Sequence, residues 1–134
     1  MRNYDSKHIL NIALAGHKGS GKTSVAESML YLTGNVSRLG KIEEGNTSLD
    51  YDPEEVKRKS SVLTAVAPVE WKNTKINLID TPGLFDFAGG IAEGMRAAES
   101  VLVVVSCKVG VDVGTEKLVN IATEMGKTMM FVVN

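Results

Sequence analysis

Cysteine is nearly absent from this 134-residue sequence, proline is scarce, and neither sign of charge dominates. The single Cys107 can form neither an internal disulfide nor a cysteine-cluster metal site, which points to a reducing compartment. Placed just beyond an apolar run, it is expected to be a small buried residue. Three prolines, with 43% hydrophobic and 23% charged residues, argue against an extended disordered chain. The net charge of −1 gives no overall electrostatic footprint for nonspecific binding to nucleic acid or membrane, and leaves room only for a local patch. No apolar run reaches the length of a membrane span, and Met1-Arg-Asn-Tyr-Asp-Ser-Lys-His8 lacks the hydrophobic core of a signal peptide. The chain is therefore expected to be soluble and cytoplasmic, with no membrane partner. Its 14.4 kDa fit one domain with one core across residues 1–134. No repeat or low-complexity tract is present.

The stretch that stands out is Ile12-Ala-Leu-Ala-Gly16-His-Lys-Gly-Ser-Gly21-Lys22-Thr23. A short aliphatic run gives way to G-x-x-x-x-G-K-T, and Val25, Ala26, Met29, Leu30 and Leu32 then recur at helical spacing. In a phosphate-binding loop the glycines let backbone N–H groups turn inward around an anion, and the helix that follows directs its positive end at the phosphates. Gly16, His17, Lys18, Gly19, Ser20, Gly21, Lys22, Thr23 and Ser24 are the candidate nucleotide-binding residues. Lys22 would reach the β- and γ-phosphates, and the Thr23 hydroxyl would bind Mg²⁺. The competing explanation is a chance glycine-rich turn before a helix; the strand before and the helix after disfavour it.

Along the chain, His8 to Ala15 is expected as a strand buried on both faces, with His8 solvated at its entrance. A helix from about Lys22 to Thr33 should end at Gly34-Asn35. From Asn35 to Ser60 no apolar face is visible, a length more typical of a functional loop than of a connection, with a brief helix after Pro53. Ser61–Trp71 and Lys75–Ile79 read as antiparallel strands around Lys72-Asn-Thr. Trp71 is expected to be a packing residue rather than a stacking platform. Gly89-Gly90 reads as a hinge before a helix carrying Ile91, Met95 and Ala98. Val101–Val105 is a buried strand, 110–114 a loop, Thr115–Met125 an amphipathic helix with Leu118, Ile121 and Ala122 inward, and Met129–Val133 the last strand. That order predicts an α/β fold, three layers around a mostly parallel sheet.

Asp80-Thr-Pro-Gly83 lies at the C-terminal end of a predicted strand, the edge at which open α/β sheets bind ligands. A strand-terminal Asp80 can hold Mg²⁺ through a water, and Gly83 can offer its N–H to a terminal phosphate. By itself D-x-x-G would be a plain turn; paired with the loop at Gly16–Thr23 it points to a nucleotide switch.

Together these residues resemble the front of the guanine-nucleotide domain of a translational GTPase, most of all elongation factor G and its relatives, including ribosomal protection proteins. The likeness covers nearly the whole chain: Gly16–Thr23, Gly40-Lys-Ile-Glu-Glu-Gly45 leading to Leu49-Asp50-Tyr51, Glu55–Val62, Asp80-Thr-Pro-Gly-Leu-Phe-Asp86-Phe87, and Val109-Gly110-Val111. It implies a P-loop NTPase of the Ras-like G-domain type, truncated after the fifth strand, with GTP or GDP and Mg²⁺ as ligands and the ribosome as partner. It also implies a first switch over Asn35–Val62, with Ser61 in the Mg²⁺-binding position, and a second over Asp80–Gly90. Asn134 matches only the first residue of the base-reading N-K-x-D. The chain is accordingly expected to be a fragment of a longer multidomain protein, with the remaining domains as partners and its last strand left at a sheet edge.

The departures from the family concern hydrolysis. Leu84 stands where the family has the histidine that orients the attacking water, and leucine can neither donate nor accept a hydrogen bond. Lys18 and Ser60 occupy the places of the apolar residues flanking that histidine, Lys59 that of a glycine, and Gly19 that of an aspartate. Tight binding with slow or differently catalysed hydrolysis is the resulting expectation. Lys18 either points to solvent or supplies a compensating charge. The alternatives are a non-hydrolysing nucleotide-binding module and an ATP-dependent phosphotransferase, the latter disfavoured by Asp80-Thr-Pro-Gly83.

Overall fold

The computed structural model describes residues 3–83 and 88–134, with Ala88 described in its backbone alone. Among the described residues the strands are β1 (Ile9–Ala15), β2 (Ala65–Trp71), β3 (Thr74–Asp80), β4 (Ser100–Val105) and β5 (Thr128–Val133). The helices are α1 (Lys22–Leu32), α2 (Pro53–Arg58), α3 (Ala88–Ala97) and α4 (Val113–Glu124). The strands form one sheet in the order β2-β3-β1-β4-β5. β1 runs parallel to β3 and β4, β4 parallel to β5, and β2 antiparallel to β3.

The apolar runs Ile12–Ala15 of β1 and Val101–Val105 of β4 follow from burial on both faces, since successive side chains point to opposite sides, whereas the expected two-sided burial does not reach the start of β1, where Leu10 is exposed. Leu14, Leu78 and Leu102 face one layer, where they meet Ala26 and Leu30 of α1. Ala13, Ala15, Ile79, Val101 and Val103 face the other, against Ile91 and Met95 of α3 and Leu118 and Ala122 of α4. The result is the expected three-layer α/β fold.

Helix ends follow local signals. Gly34 (φ 75) and Gly126 (φ 65) turn left-handed after α1 and α4, and Lys127 N–H returns to Ala122 O at 2.9 Å. The short helix expected after Pro53 is α2, closed by a capping box in which Asp52 accepts from Glu54 N–H at 2.8 Å and Glu55 accepts from Asp52 N–H at 3.3 Å.

Several boundaries differ from expectation for identifiable reasons. β2 starts at Ala65, not Ser61, because Glu55 takes the Val62 and Leu63 N–H groups at 2.9 and 3.0 Å. The hairpin turn is Lys72-Asn73 alone, with φ 45 and 61, as a two-residue turn requires. Gly89-Gly90 is no hinge: both lie inside α3, where a Cβ on Gly90 would stand 3.0 Å from Thr64 Oγ1. α4 begins at Val113, before Thr115, because Asp112 caps it, accepting from Thr115 N–H at 2.7 Å. Cys107 is exposed rather than buried, since the chain leaves the sheet after Val105. Trp71 is exposed at the hairpin tip on an edge strand. No helix among the described residues is long and apolar enough to cross a membrane.

Candidate functional site

The loop between β1 and α1 is shaped by its glycines. A Cβ on Gly16 would collide with Val104 O, so only glycine lets the loop cross so close to β4. Gly19 (φ 80) and Gly21 (φ 94) take left-handed backbone that turns the chain straight into α1. Gly21 makes no side-chain cap, which leaves first-turn N–H groups of α1 available to an anion. They open on a cavity of about 310 Å³ whose wall includes Gly19, Gly21, Lys22, Thr23 and Ser24.

Distant segments complete this cavity. Thr23 Oγ1 donates to Asp80 Oδ2 at 2.7 Å and lies 3.2 Å from Ser61 Oγ. Thr81, fully buried, fastens the end of β3 to β1 by donating from its N–H (3.2 Å) and Oγ1 (2.7 Å) to Leu14 O. That attachment sets Asp80 beside Thr23 and carries Gly83 against the loop. A Cβ on Gly83 would lie 2.6 Å from Lys22 Nζ and 2.8 Å from Lys18 N. Asn134, at the end of β5, donates from Nδ2 to Ser20 O at 3.2 Å and also lines the cavity.

The electrostatics centre on one buried ammonium and two buried carboxyls. The Lys22 ammonium is buried and donates to His17 O at 3.2 Å. Burial lowers its pKa, against the opposing pull of Asp80 and Asp50. The Asp80 carboxyl is pushed up to about 6 by burial, against the Thr23 hydrogen bond and the Lys22 charge. Asp80 Oδ1 and Asp50 Oδ2 are buried with no hydrogen-bond partner. Burial also raises Asp50, partly offset by a hydrogen bond from Ser61. Two hydroxyls and a half-satisfied carboxylate are hard oxygen donors, a set that fits Mg²⁺. Among the described residues no group of three or more His, Cys, Asp or Glu could hold a metal ion.

Other expected residues are placed less directly. Lys18 is exposed on the cavity rim. His17 Nδ1 lies 2.6 Å from Lys18 O, and its Nε2 is buried without a partner, as is Ser20 Oγ. Leu84, Asp86 and Phe87 lie outside the described residues. Asp50, which the sequence marks only as part of the stretch Leu49-Asp50-Tyr51, also lines the cavity. A larger groove of about 520 Å³ is bordered by Ile12, Met29, Leu32, Trp71, Met129 and Met130 among others, and its mostly apolar wall carries no cationic side chain.

A glycine loop between a central parallel strand and a helix, facing a strand-end aspartate, defines a P-loop domain of the α/β class. The chain matches the elongation factor Tu GTP binding domain over residues 7–134 and belongs to that family. It is 36% identical over 129 residues to mitochondrial ribosome-releasing factor 2 of Yarrowia lipolytica, covering 96% of this chain and 16% of that protein. To an elongation factor G-like protein of Mycobacterium tuberculosis it is 38% identical over 118 residues, covering 88% of this chain and 16% of the relative. A crystal structure of a Thermus thermophilus protein superposes with a TM-score of 0.91 at 44% identity, over 94% of this chain and 19% of that one. The chain thus spans about a sixth of the length of these curated relatives.

Proposed function

We propose that this chain is the N-terminal part of the GTP-binding domain of a longer, cytoplasmic, multidomain protein of the elongation factor G type. Its activity would be to bind GTP and hydrolyse it to GDP and phosphate in ribosome-linked protein synthesis. The observation that carries the proposal is the convergence of Lys22, Thr23, Ser61 and Gly83, from three segments, on one cavity, with Asp80 bonded to Thr23 behind its wall. Gly16 to Ser24 would wrap the phosphates, Lys22 would neutralise the β- and γ-phosphates, and the Gly83 N–H would meet the terminal one. Thr23 and Ser61 would hold Mg²⁺ directly and Asp80 through water. When bound, that cation neutralises phosphate charge. Loss of the γ-phosphate would remove its contacts to Ser61 and Gly83 and release both loops, which is how such a domain switches. The names of relatives, a ribosome-releasing factor and an elongation factor G-like protein, support a ribosomal setting.

Leu84 supports a second reading, a module that binds nucleotide without turnover and acts in ribosome protection or scaffolding. Calorimetric titration of the intact protein with a non-hydrolysable GTP analogue, GDP and an ATP analogue, each with Mg²⁺, followed by turnover with and without ribosomes, separates the two. Guanine-selective binding with ribosome-stimulated turnover is expected for the first. Leu84→His should then raise hydrolysis; an unchanged rate would refute the role assigned to Leu84. Binding without turnover would favour the second reading, and no binding would remove both.

A further inference from the structure

Glu27 lies on α1 one turn beyond Thr23 and is fully buried. It takes no part in lining the cavity. Its Oε1 instead accepts main-chain hydrogen bonds from Ser48 N–H at 2.6 Å and Leu49 N–H at 3.1 Å. Its Oε2 has no hydrogen-bond partner and faces Gly40, where a Cβ would collide with it. A buried carboxylate is an expensive way to pack a helix, and an apolar side chain would fill the same place more favourably. What this one does is hold a loop. Leu49 is drawn into the core beside Ala26 and Leu30, and the next residue, Asp50, forms part of the cavity wall. Glu55 repeats the device further along, gripping Val62 and Leu63 immediately after Ser61. The segment that supplies Asp50 and Ser61 is thus fastened by two buried carboxylates, and one of them rides on the helix that begins with Lys22 and Thr23.

We propose that Glu27 is a positioning residue of the nucleotide site: it latches the 40–50 segment to the phosphate-loop helix and so sets how strongly the site distinguishes a nucleoside triphosphate from a diphosphate. The inference rests on the cavity being a nucleotide site. A triphosphate needs the segment closed so that Ser61 can engage, whereas a diphosphate is held mainly by the glycine loop. Weakening the latch therefore penalises the triphosphate selectively, because the energy of closing comes out of its binding alone.

The test compares the intact protein with Glu27→Ala, Glu27→Gln and Gly40→Ala. The last attacks the same contact from the loop side, since its methyl would meet Glu27 Oε2 and stand 2.8 Å from Thr47 Cα. Affinities for a fluorescent non-hydrolysable GTP analogue and for GDP are measured with Mg²⁺, alongside tryptic cleavage at the exposed Arg38, Lys41, Lys57, Arg58 and Lys59. Both alanine variants should lose on the order of tenfold in analogue affinity while GDP affinity stays within about twofold, a charge-assisted hydrogen bond's worth of selectivity. Their analogue complexes should also be cleaved faster, and Glu27→Gln, which keeps an acceptor oxygen without the charge, should fall between. An unchanged ratio of the two affinities overturns the proposal, including the case in which misfolding merely lowers the number of binding sites for both nucleotides alike. A wild-type protein that binds neither nucleotide overturns the function proposed above, and this inference with it.

Discussion

Removing the charge of Asp80 should flatten the acid side of the stability profile of the nucleotide-free protein. Its carboxyl titrates at 3.8 in an unfolded chain and at about 6 in the fold, chiefly through burial. Between those values the folded state keeps a proton that the unfolded state has already released. Stability is therefore greatest below the unfolded value and falls as pH rises through the folded one. Moving one carboxyl by this much removes about 3 kcal/mol of stability once both states are ionised. Asp50, also raised by burial, adds a loss of the same sign. Glu99 and Asp112, held low by hydrogen bonds from Asn11 and Thr115, act in the opposite sense. Subtracting the curve of Asp80→Asn from that of the wild type cancels these shared contributions. Urea unfolding from about pH 4 to 7 in chelator, without nucleotide, should show the wild type losing on the order of 3 kcal/mol relative to the variant across this window. Parallel curves would refute the account of Asp80 as a carboxyl whose burial favours its protonated form. With Mg²⁺ and GTP analogue added the order should reverse, since the wild type gains binding energy that the variant lacks.

Gly83→Ala should weaken the triphosphate analogue by at least about tenfold, or about 1.4 kcal/mol, because its methyl would press on Lys22 Nζ and on the Lys18 backbone. Calorimetry should register this as weaker binding per folded molecule. Leu118→Ala empties a site 1% exposed between α4 and the sheet and should destabilise the fold by about 2–5 kcal/mol. Its nucleotide affinity per folded molecule should be unchanged, as urea unfolding and titration together would establish.

Much of the site was legible before any coordinates, because the phosphate loop is a local object. Gly19, Gly21, Lys22 and Thr23 act within a few residues of one another, and their spacing encodes both the turn and the helix that follows. The aspartate at the end of a predicted strand was likewise visible, as was the helix after Pro53, whose Asp52 and Glu55 carry their own cap. Glu27 was not legible as anything but one polar residue on an amphipathic helix. Its partners, Ser48 and Leu49, lie in a stretch with no periodicity to orient them.

By itself the sequence determined which segments are strands and helices, that the middle strands are covered on both faces, and where an anion can be wrapped. Each of these depends on spacing within one element and on the handedness of the backbone. Tertiary structure alone decided that Ser61 leaves its apparent strand to meet Thr23, that Asp50 enters the cavity wall, that Gly89-Gly90 packs inside a helix, and that Cys107 faces outward. In all but the last of these, segments far apart in the chain meet over the same hydrogen-bonding groups or the same volume. Such competition is resolved only when the sheet order brings the segments together.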